Sequence, residues 1–270
     1  MGVAKPMTYD SFVAEYYDFL PTVAGRGDLD FYVAEAAKSG GPVLELGCGT
    51  GRVLLAIARA GFRTAGLDLS EMMLRRCREK LASEPGEVQK RISLHRGDMS
   101  DFDLGEKFRL IIVPFRPFQH LLKVREQLAC LRCAHRHLEP GGRLILDLFQ
   151  TDPRRMYDPA FLNEESVEPE ATLPDGRRLR LASRNSAFHR AEQVNDCELI
   201  FYVTDADGRT ERLVFAFPLR YFFRYEVEHL LARSGFRVAE LYGGFDRAPL
   251  GDESREMLFI AEKMAEGSPA

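Results

Sequence analysis

Residues 43–52 read VLELGCGTGR and combine a short apolar run, an acidic residue and three glycines at alternate positions. The helix-forming run 53–59 follows directly. Glycine is needed where a chain turns sharply and where the absence of Cβ lets backbone amides approach a small molecule. Free N–H groups at the start of the helix would point back toward that molecule. The pattern predicts a ligand-binding turn between a strand and a helix, and a turn without a ligand is the simpler alternative.

The spacing of the glycines distinguishes two kinds of nucleotide cofactor. A dinucleotide-binding turn has the pattern G-x-G-x-x-G or G-x-G-x-x-A. Here the sixth position is Arg52, and the third glycine, Gly51, comes one residue early. Glu45, two residues before Gly47, places a carboxylate under the turn, where it would repel a pyrophosphate and attract an ammonium group. The residues therefore favour S-adenosylmethionine over a nicotinamide dinucleotide.

The same stretch resembles motif I of the class I S-adenosylmethionine-dependent methyltransferases, in which apolar residues and an acidic residue precede G-x-G-x-G. The resemblance implies an α/β fold built on a doubly wound, seven-stranded Rossmann-like sheet. It also implies that Glu45, Gly47, Gly49 and Gly51 cradle the methionine part of the cofactor.

Acidic residues follow the next two predicted strands. Asp68 ends the second strand, which is expected beside the glycine turn, so its carboxylate can accept hydrogen bonds from both ribose hydroxyls. Leu69 is grouped with it as a cofactor-binding residue. Asp98 follows the third strand, where it could accept from the adenine amine, while Met99 supplies an apolar surface and a backbone N–H. In the resembled family this position reads the adenine; an aspartate that only stabilises a loop is the alternative.

The fourth predicted strand, 108–113, is apolar enough for the middle of a sheet that is covered on both faces. In a doubly wound sheet, the loop that follows it lies at the ligand-binding edge. The resemblance implies that Pro114 and Phe115 of that loop line the methyl-transfer face. Methyltransferases that modify nucleic-acid bases commonly carry a D-P-P-Y-like sequence here, and its absence argues against a polynucleotide substrate.

The order of predicted elements divides the chain. Strands and helices alternate over 41–149, which is the pattern of a parallel α/β sheet. Strand-like segments with Asp-Gly turns then predict an antiparallel β insertion after the fifth strand, and the α/β pattern returns with a final antiparallel strand. The predicted domains are an N-terminal helical lid over 1–40, a Rossmann-like domain over 41–150 and 221–264, an inserted antiparallel β subdomain over 151–220, and a disordered tail over 265–270.

Aromatic residues crowd the first predicted helix, which is expected from Tyr9 to Leu20. Tyr9, Phe12, Tyr16 and Tyr17 lie within nine positions. They either dock an amphipathic helix on the protein or cover the cofactor and touch the substrate.

Within the class, the chain most resembles small-molecule N-methyltransferases, namely glycine N-methyltransferase and, more closely, the TDP-aminosugar N,N-dimethyltransferases. The similar segments are 15–18 (EYYD), 97–102 (GDMSDF), 118–121 (FQHL) and 222–235. The resemblance implies an amine acceptor, a lid position for Tyr17, and a place near the amine for His120, which suits a general base at neutral pH. His120 and Tyr17 are the predicted catalytic residues. The chain departs from the sugar enzymes at Arg116-Pro117, which is bulkier than the small polar residues common there and carries a charge.

Bulk composition excludes several classes of function. The chain has 270 residues, 45% hydrophobic content, a formal net charge of −4 and a pI near 5.9, so no overall field attracts nucleic acid or an anionic membrane. No apolar run approaches the roughly 18 residues of a membrane span. A cytoplasmic protein with a small-molecule substrate is expected, with no nucleic-acid or membrane partner and with possible homodimerisation through the inserted sheet.

The cysteines predict neither disulfides nor a metal site. Five scattered cysteines are an odd number for a disulfide framework. Cys130 and Cys133 form a C-x-x-C in a predicted helix, without a second pair at zinc spacing. They are interpreted as helical residues.

Two alternatives to an amine methyltransferase remain open. The first is a small-molecule O-methyltransferase acting on a hydroxyl or carboxylate, in which Arg116 binds an acidic substrate. The second is a non-catalytic S-adenosylmethionine-binding protein. A dehydrogenase is more distant because the glycine spacing does not fit.

Overall fold

The computed structural model describes residues 11–265. Contacts between Cα atoms divide the chain into two compact units. The larger unit contains Gly27–Thr151 and the residues from Phe222 onward, and the smaller unit contains the residues up to Arg26 together with Asp152–Tyr221.

A seven-stranded sheet forms the centre of the larger unit. Its strands are β1 (Val43–Leu46), β2 (Thr64–Asp68), β3 (Ile92–Arg96), β4 (Phe108–Val113), β5 (Leu138–Phe149), β10 (Phe236–Tyr242) and β11 (Glu256–Lys263). Their spatial order is β10-β11-β5-β4-β1-β2-β3. Strands β1 to β5 are mutually parallel, and β11 is antiparallel to both β5 and β10. The predicted seven-stranded, doubly wound sheet with an antiparallel last strand is confirmed.

Helices cover both faces of this sheet. Along β4, Ile111 belongs to a core shared with helices α7 (Val124–His137) and α8 (Arg224–Arg233). Its neighbour Ile112 belongs to a core shared with α3 (Leu29–Ser39) and α4 (Arg52–Arg59). Successive residues of a strand point to opposite faces, so a segment covered on both sides, such as Leu110–Val113 of β4, is apolar at successive positions. The helices of this unit are α3 (Leu29–Ser39), α4 (Arg52–Arg59), α5 (Glu71–Ala82), α6 (Gly86–Gln89), α7 (Val124–His137) and α8 (Arg224–Arg233).

The smaller unit is built on a four-stranded antiparallel sheet in the order β6-β7-β8-β9. Its strands are β6 (Glu165–Thr172), β7 (Arg178–His189), β8 (Val194–Thr204) and β9 (Thr210–Arg220), and its helices are α1 (Ser11–Tyr16) and α2 (Pro21–Ala24). Phe12 and Tyr16 of α1 pack on Phe201, with ring centroids 5.5 and 6.3 Å away. The aromatic character of these two positions is therefore explained by docking of helix α1 on the four-stranded sheet. Strand β6 was missed by the sequence reasoning because its residues, ESVEPEAT, include a proline and five polar or acidic positions with little alternation.

The grouping of the N-terminal elements differs from the single 1–40 lid that the sequence predicts. Helix α3 belongs to the larger unit because Phe31 and Tyr32 are buried in its core. The helix expected across Tyr9–Leu20 ends at Tyr16 and is followed by a 3-10 turn, Tyr17–Phe19. Tyr9 and residues 266–270 of the predicted tail lie outside the described residues.

Within residues 11–265, none of the helices has the length and apolar character needed to cross a bilayer. The same part of the chain contains no group of three or more His, Cys, Asp or Glu side chains arranged to hold a metal ion. Cys130 and Cys133 are buried thiols in α7.

Candidate functional site

The turn after β1 depends on glycine for two reasons. Gly47, Gly49 and Gly51 all have left-handed backbone conformations, with φ of 71°, 54° and 81°. A Cβ added at Gly47 would lie 2.7 Å from the ring of Pro117, and one at Gly51 would lie 2.4 Å from Sγ of Cys77. A Cβ at Gly49 would meet no atom within 4 Å. Conformation therefore selects glycine at all three positions, and close packing selects it again at the two outer ones.

Asp68 lies directly against this turn. Its Oδ2 accepts a hydrogen bond from the backbone N–H of Gly49 at 2.7 Å, and its Oδ1 accepts one from the N–H of Ser70 at 2.8 Å. Burial raises the pKa of the Asp68 carboxyl, and these backbone donors act in the opposite direction. Each carboxylate oxygen has more than one lone pair, so the group can still accept from a ligand while its orientation is fixed.

Glu45 provides a buried carboxylate beneath the turn. The residue is 3% exposed, and its Oε2 has no hydrogen-bond partner among the residues that the structure describes. Burial raises the pKa of Glu45 well above its usual range; Arg52 opposes this shift, and the charges of Asp28 and Asp68 add to it. A buried carboxylate oxygen without a partner is costly, and an ammonium group supplies both the charge and the donor that it lacks. The residue therefore fits the ammonium group of S-adenosylmethionine.

A buried ion pair supports the first residue of α4. The guanidinium of Arg52 donates to both oxygens of Asp28, at 2.5 and 2.7 Å, and Asp28 is fully buried at the start of α3. The sequence reasoning missed this pair because Asp28 is 24 positions from Arg52 and belongs to no motif. The arginine directly after the third glycine was the available signal.

The loop after β3 is joined to the end of β2. The N–H of Gly97 donates to the carbonyl oxygen of Asp68 at 3.0 Å. Asp98 is exposed, and its Oδ1 accepts from the N–H and the hydroxyl of Ser100 at 2.7 and 2.8 Å. Met99 points toward the glycine turn, with its Cε 3.7 Å from where a Cβ on Gly47 would lie. The predicted adenine-binding residues thus lie at the same edge of the sheet as the turn.

Leu69, at the end of β2, is one of the few large apolar side chains that are strongly exposed in the described chain, at 43%. It follows Asp68 directly, so it adds apolar surface beside that carboxylate. This exposure is consistent with its prediction as a cofactor contact.

The loop after β4 is held by two carboxylates from other strands. Phe115 donates its backbone N–H to Oδ2 of Asp147 at 2.8 Å. Arg116 is 8% exposed, pairs with Glu256 at 2.5 Å, and lies over the ring of Phe149 with its guanidinium carbon 3.3 Å from the centroid. The Arg116 charge is therefore compensated inside the protein, which weakens the hypothesis that it binds an acidic substrate.

The two predicted catalytic residues belong to different units. His120 ends the 3-10 turn Pro117–His120 and is half-buried. Tyr17 lies in the smaller unit and is also half-buried. The larger unit brings together Glu45, the three glycines, Asp68, Asp98, Met99, Pro114 and Phe115; the role of Tyr17 remains a prediction.

Asp147 and Glu256 were also missed from the sequence. Asp147 lies in the run Leu144–Leu148, which is otherwise apolar, and it is fully buried. An acidic residue inside a buried strand is unusual unless it is bonded, and this was a signal that could have identified it. Glu256 carried no comparable signal.

Comparisons with known proteins agree with this geometry. Residues 43–142 match the family described as "Methyltransferase domain". The chain is 27% identical over 263 residues to a cypemycin N-terminal methyltransferase from Streptomyces sp., covering 97% of this chain and 100% of that protein. It is 28% identical over 244 residues to a dTDP-3-amino-3,4,6-trideoxy-alpha-D-glucopyranose N,N-dimethyltransferase from Streptomyces venezuelae, covering 87% and 94%.

A solved structure extends the similarity to the fold and the cofactor. SAM-bound CalS10, an amino pentose methyltransferase from Micromonospora echinaspora involved in calicheamicin biosynthesis, superposes with a TM-score of 0.68 at 26% identity. The match covers 97% of this chain and 100% of that one. Residues 43–142 therefore form a methyltransferase domain, the chain has the Rossmann-like fold of its S-adenosylmethionine-dependent methyltransferase relatives, and S-adenosylmethionine is its cofactor.

Proposed function

We propose that the protein transfers a methyl group to an amine nitrogen of a small molecule, with an aminosugar-like compound as the acceptor. The observation that carries the proposal is the similarity, over most or all of the chain, to proteins described as an N-terminal methyltransferase, an aminosugar N,N-dimethyltransferase and an amino pentose methyltransferase. These acceptors differ in size, and an amine is what they share.

The cofactor is proposed to be held by residues at the carboxyl edge of the sheet. Glu45 receives the ammonium group, because its buried Oε2 has no other partner in the described chain. Gly47, Gly49 and Gly51 allow the backbone to approach the methionine part. Asp68 accepts from the ribose hydroxyls. Asp98, Met99 and Leu69 bind the adenine, the first by its carboxylate and the other two through apolar contact.

The methyl-transfer face is proposed to be formed by Pro114 and Phe115. The bound cofactor supplies a methyl group already activated by a positively charged sulfur. The main task of the chain is therefore to align the acceptor nitrogen with that methyl carbon, and orientation of this kind can lower a barrier by roughly 7 to 11 kcal/mol. A nitrogen lone pair forms the new N–C bond while the C–S bond breaks.

His120 is proposed to accept the proton that the acceptor amine must lose. Imidazole titrates near neutral pH, and a general base contributes roughly 10²- to 10⁴-fold to a rate. We expect His120→Ala to lower kcat within that range and to leave S-adenosylhomocysteine binding within about twofold. An unchanged kcat would assign His120 a structural role only.

The charge of Arg116 bears on the alternative acceptors. A carboxylate acceptor needs an available cation, and Arg116 is already paired with Glu256. The structure therefore offers no reason to prefer an acidic substrate, and the amine is retained as the proposed acceptor.

The proposal is tested by incubating the protein with methyl-labelled S-adenosylmethionine and a panel of aminosugar nucleotides, simple amines, hydroxylated aromatics and small acids, followed by mass spectrometry. We expect label on an amine nitrogen. Label on oxygen would replace the proposal with the O-methyltransferase alternative. Tight cofactor binding without any product would favour the non-catalytic alternative.

A further inference from the structure

The loop after β4 adopts a conformation that its own residues disfavour. Phe115 and Arg116 have φ of 61° and 71°, so two consecutive residues with large side chains are left-handed. This region is crowded for any residue with a Cβ and is visited mainly by glycine, asparagine and aspartate. Such a conformation persists only when surrounding groups hold it. The cause must therefore lie in residues outside the loop.

The first of these residues is Asp147, in β5. Its Oδ2 accepts the backbone N–H of Phe115 at 2.8 Å and the hydroxyl of Tyr32 at 3.4 Å. Asp147 is fully buried, and its strand is hydrogen-bonded on both sides, by β4 and by β11. The Asp147 carboxylate is thus fixed in the centre of the sheet, beside the end of β4 where the loop begins.

The second is Glu256, the first residue of β11. Glu256 pairs in register with Phe149 of β5, so the two side chains are neighbours on adjacent strands. The guanidinium of Arg116 is bound by the Glu256 carboxylate at 2.5 Å and stacks on the Phe149 ring at 3.3 Å. Glu256 supplies a charged partner and Phe149 a flat surface, so the Arg116 side chain is restrained in both position and orientation.

We propose that Asp147 and Glu256 are positioning residues for methyl transfer. They hold Phe115 and Arg116 in left-handed conformations and thereby fix the Pro114–Phe115 surface. This inference rests on the proposed function, which assigns that surface to the methyl-transfer face. Neither carboxylate is placed on the reacting atoms.

The loop is also joined to the cofactor turn. Pro117, the next residue, lies so close to Gly47 that a Cβ there would be 2.7 Å from its ring. A loop that relaxes toward right-handed conformations would move Pro117 as well. Misplacement by about 1 Å can cost a factor of about 10² in rate. The carboxylates are therefore expected to affect kcat more than cofactor affinity.

The test compares Asp147→Ala and Glu256→Gln with Glu262→Gln, because an asparagine at position 147 would keep an oxygen able to accept from Phe115. Glu262 is a matched control because it lies on the same strand as Glu256 and binds two arginines, Arg143 at 3.2 Å and Arg237 at 2.6 Å, without touching the loop. Hydrogen exchange of the peptide covering 113–121 is measured first, in the protein without substrate. We expect exchange there to accelerate about tenfold or more in the two loop variants and to stay unchanged in Glu262→Gln.

Turnover is then measured with the best acceptor from the panel. We expect kcat to fall about tenfold to a hundredfold in Asp147→Ala and Glu256→Gln, with KM for S-adenosylmethionine within about threefold. The thermal midpoint of Glu256→Gln is expected to stay close to that of Glu262→Gln. Unchanged loop exchange, or equal losses of kcat in the control, would overturn the inference. If the wild-type protein methylates no amine, the proposed function fails, while the exchange data still decide whether the carboxylates hold the loop.

Discussion

The turn after β1 and the loop after β4 lie at the same edge of the sheet and both need left-handed backbone, but they obtain it differently. The turn uses Gly47, Gly49 and Gly51, for which this conformation is allowed by the residue itself. The loop uses Phe115 and Arg116, and its conformation is imposed by Asp147 and Glu256, 32 and 140 positions away. The backbone conformation of the turn is specified by its own residues. That of the loop is specified by strands that must first pair in the sheet.

The largest expected effect comes from adding one methyl group to the glycine turn. In Gly51→Ala, the alanine would have to adopt the left-handed φ of 81°, and its Cβ would lie 2.4 Å from Sγ of the buried Cys77. We expect the free energy of unfolding to fall by about 3 kcal/mol, measured by urea denaturation. Gly49→Ala is the matched variant, since it adds the same strain with no clash, and a loss of about 1 kcal/mol is expected. Equal losses in the two variants would show that packing against Cys77 is unimportant.

The turn is also supported by Asp28, which is distant from it in sequence. Replacing Asp28 tests whether the residues of the turn alone determine its stability. In Asp28→Asn, the guanidinium of Arg52 loses the charge that it contacts through both nitrogens. Breaking a buried pair is costly, but Arg52 is 19% exposed, so we expect a loss of about 2 kcal/mol. Glu84→Gln is the control because Glu84 pairs with Arg59 at the exposed end of the same helix, and its loss should be much smaller. Similar losses would mean that the turn needs no support from Asp28.

Position 116 reverses the usual ranking of alanine and glycine. Arg116→Gly and Arg116→Ala both remove the contact with Glu256, but only glycine adopts φ 71° without strain. We therefore expect the glycine variant to be more stable by about 1 kcal/mol in urea denaturation. Arg143 is the matched control because it also pairs with a carboxylate of β11, lies within β5 and has no positive φ. There alanine should be the more stable variant, and the same order at both positions would contradict the explanation.

This contrast explains what could be predicted from the sequence. The parallel strands, the glycine turn and the acid at the end of β2 follow from local patterns, because each is specified within about ten residues. Strand β6 lacks a clear pattern, and Asp147 and Glu256 act on the loop only after β5 and β11 have paired. The left-handed conformation of Phe115 could not be predicted because the preference of that residue points the other way. Arg116 was interpreted as available to substrate because its partner lies near the end of the chain.

The last expected effect concerns the proton on Glu45 and appears as a dependence of stability on pH. Burial raises the pKa of Glu45 well above 4.5, so the folded protein keeps this proton at pH values where the unfolded chain has lost it. Its contribution to stability is therefore complete below pH 4.5 and is lost as the pH rises through the folded-state pKa.

Glu45→Gln has no proton to lose, so it isolates this contribution. We expect the wild-type free energy of unfolding to fall relative to the variant as the pH rises from 5 to 8, with a slope of at most about 1.4 kcal/mol per pH unit. The ammonium of S-adenosylhomocysteine would favour the charged carboxylate, so the ligand should oppose this decline in the wild-type protein and bind the variant about tenfold more weakly. Parallel pH profiles with equal ligand affinity would place the ammonium group elsewhere and leave the glycine turn with a purely conformational role.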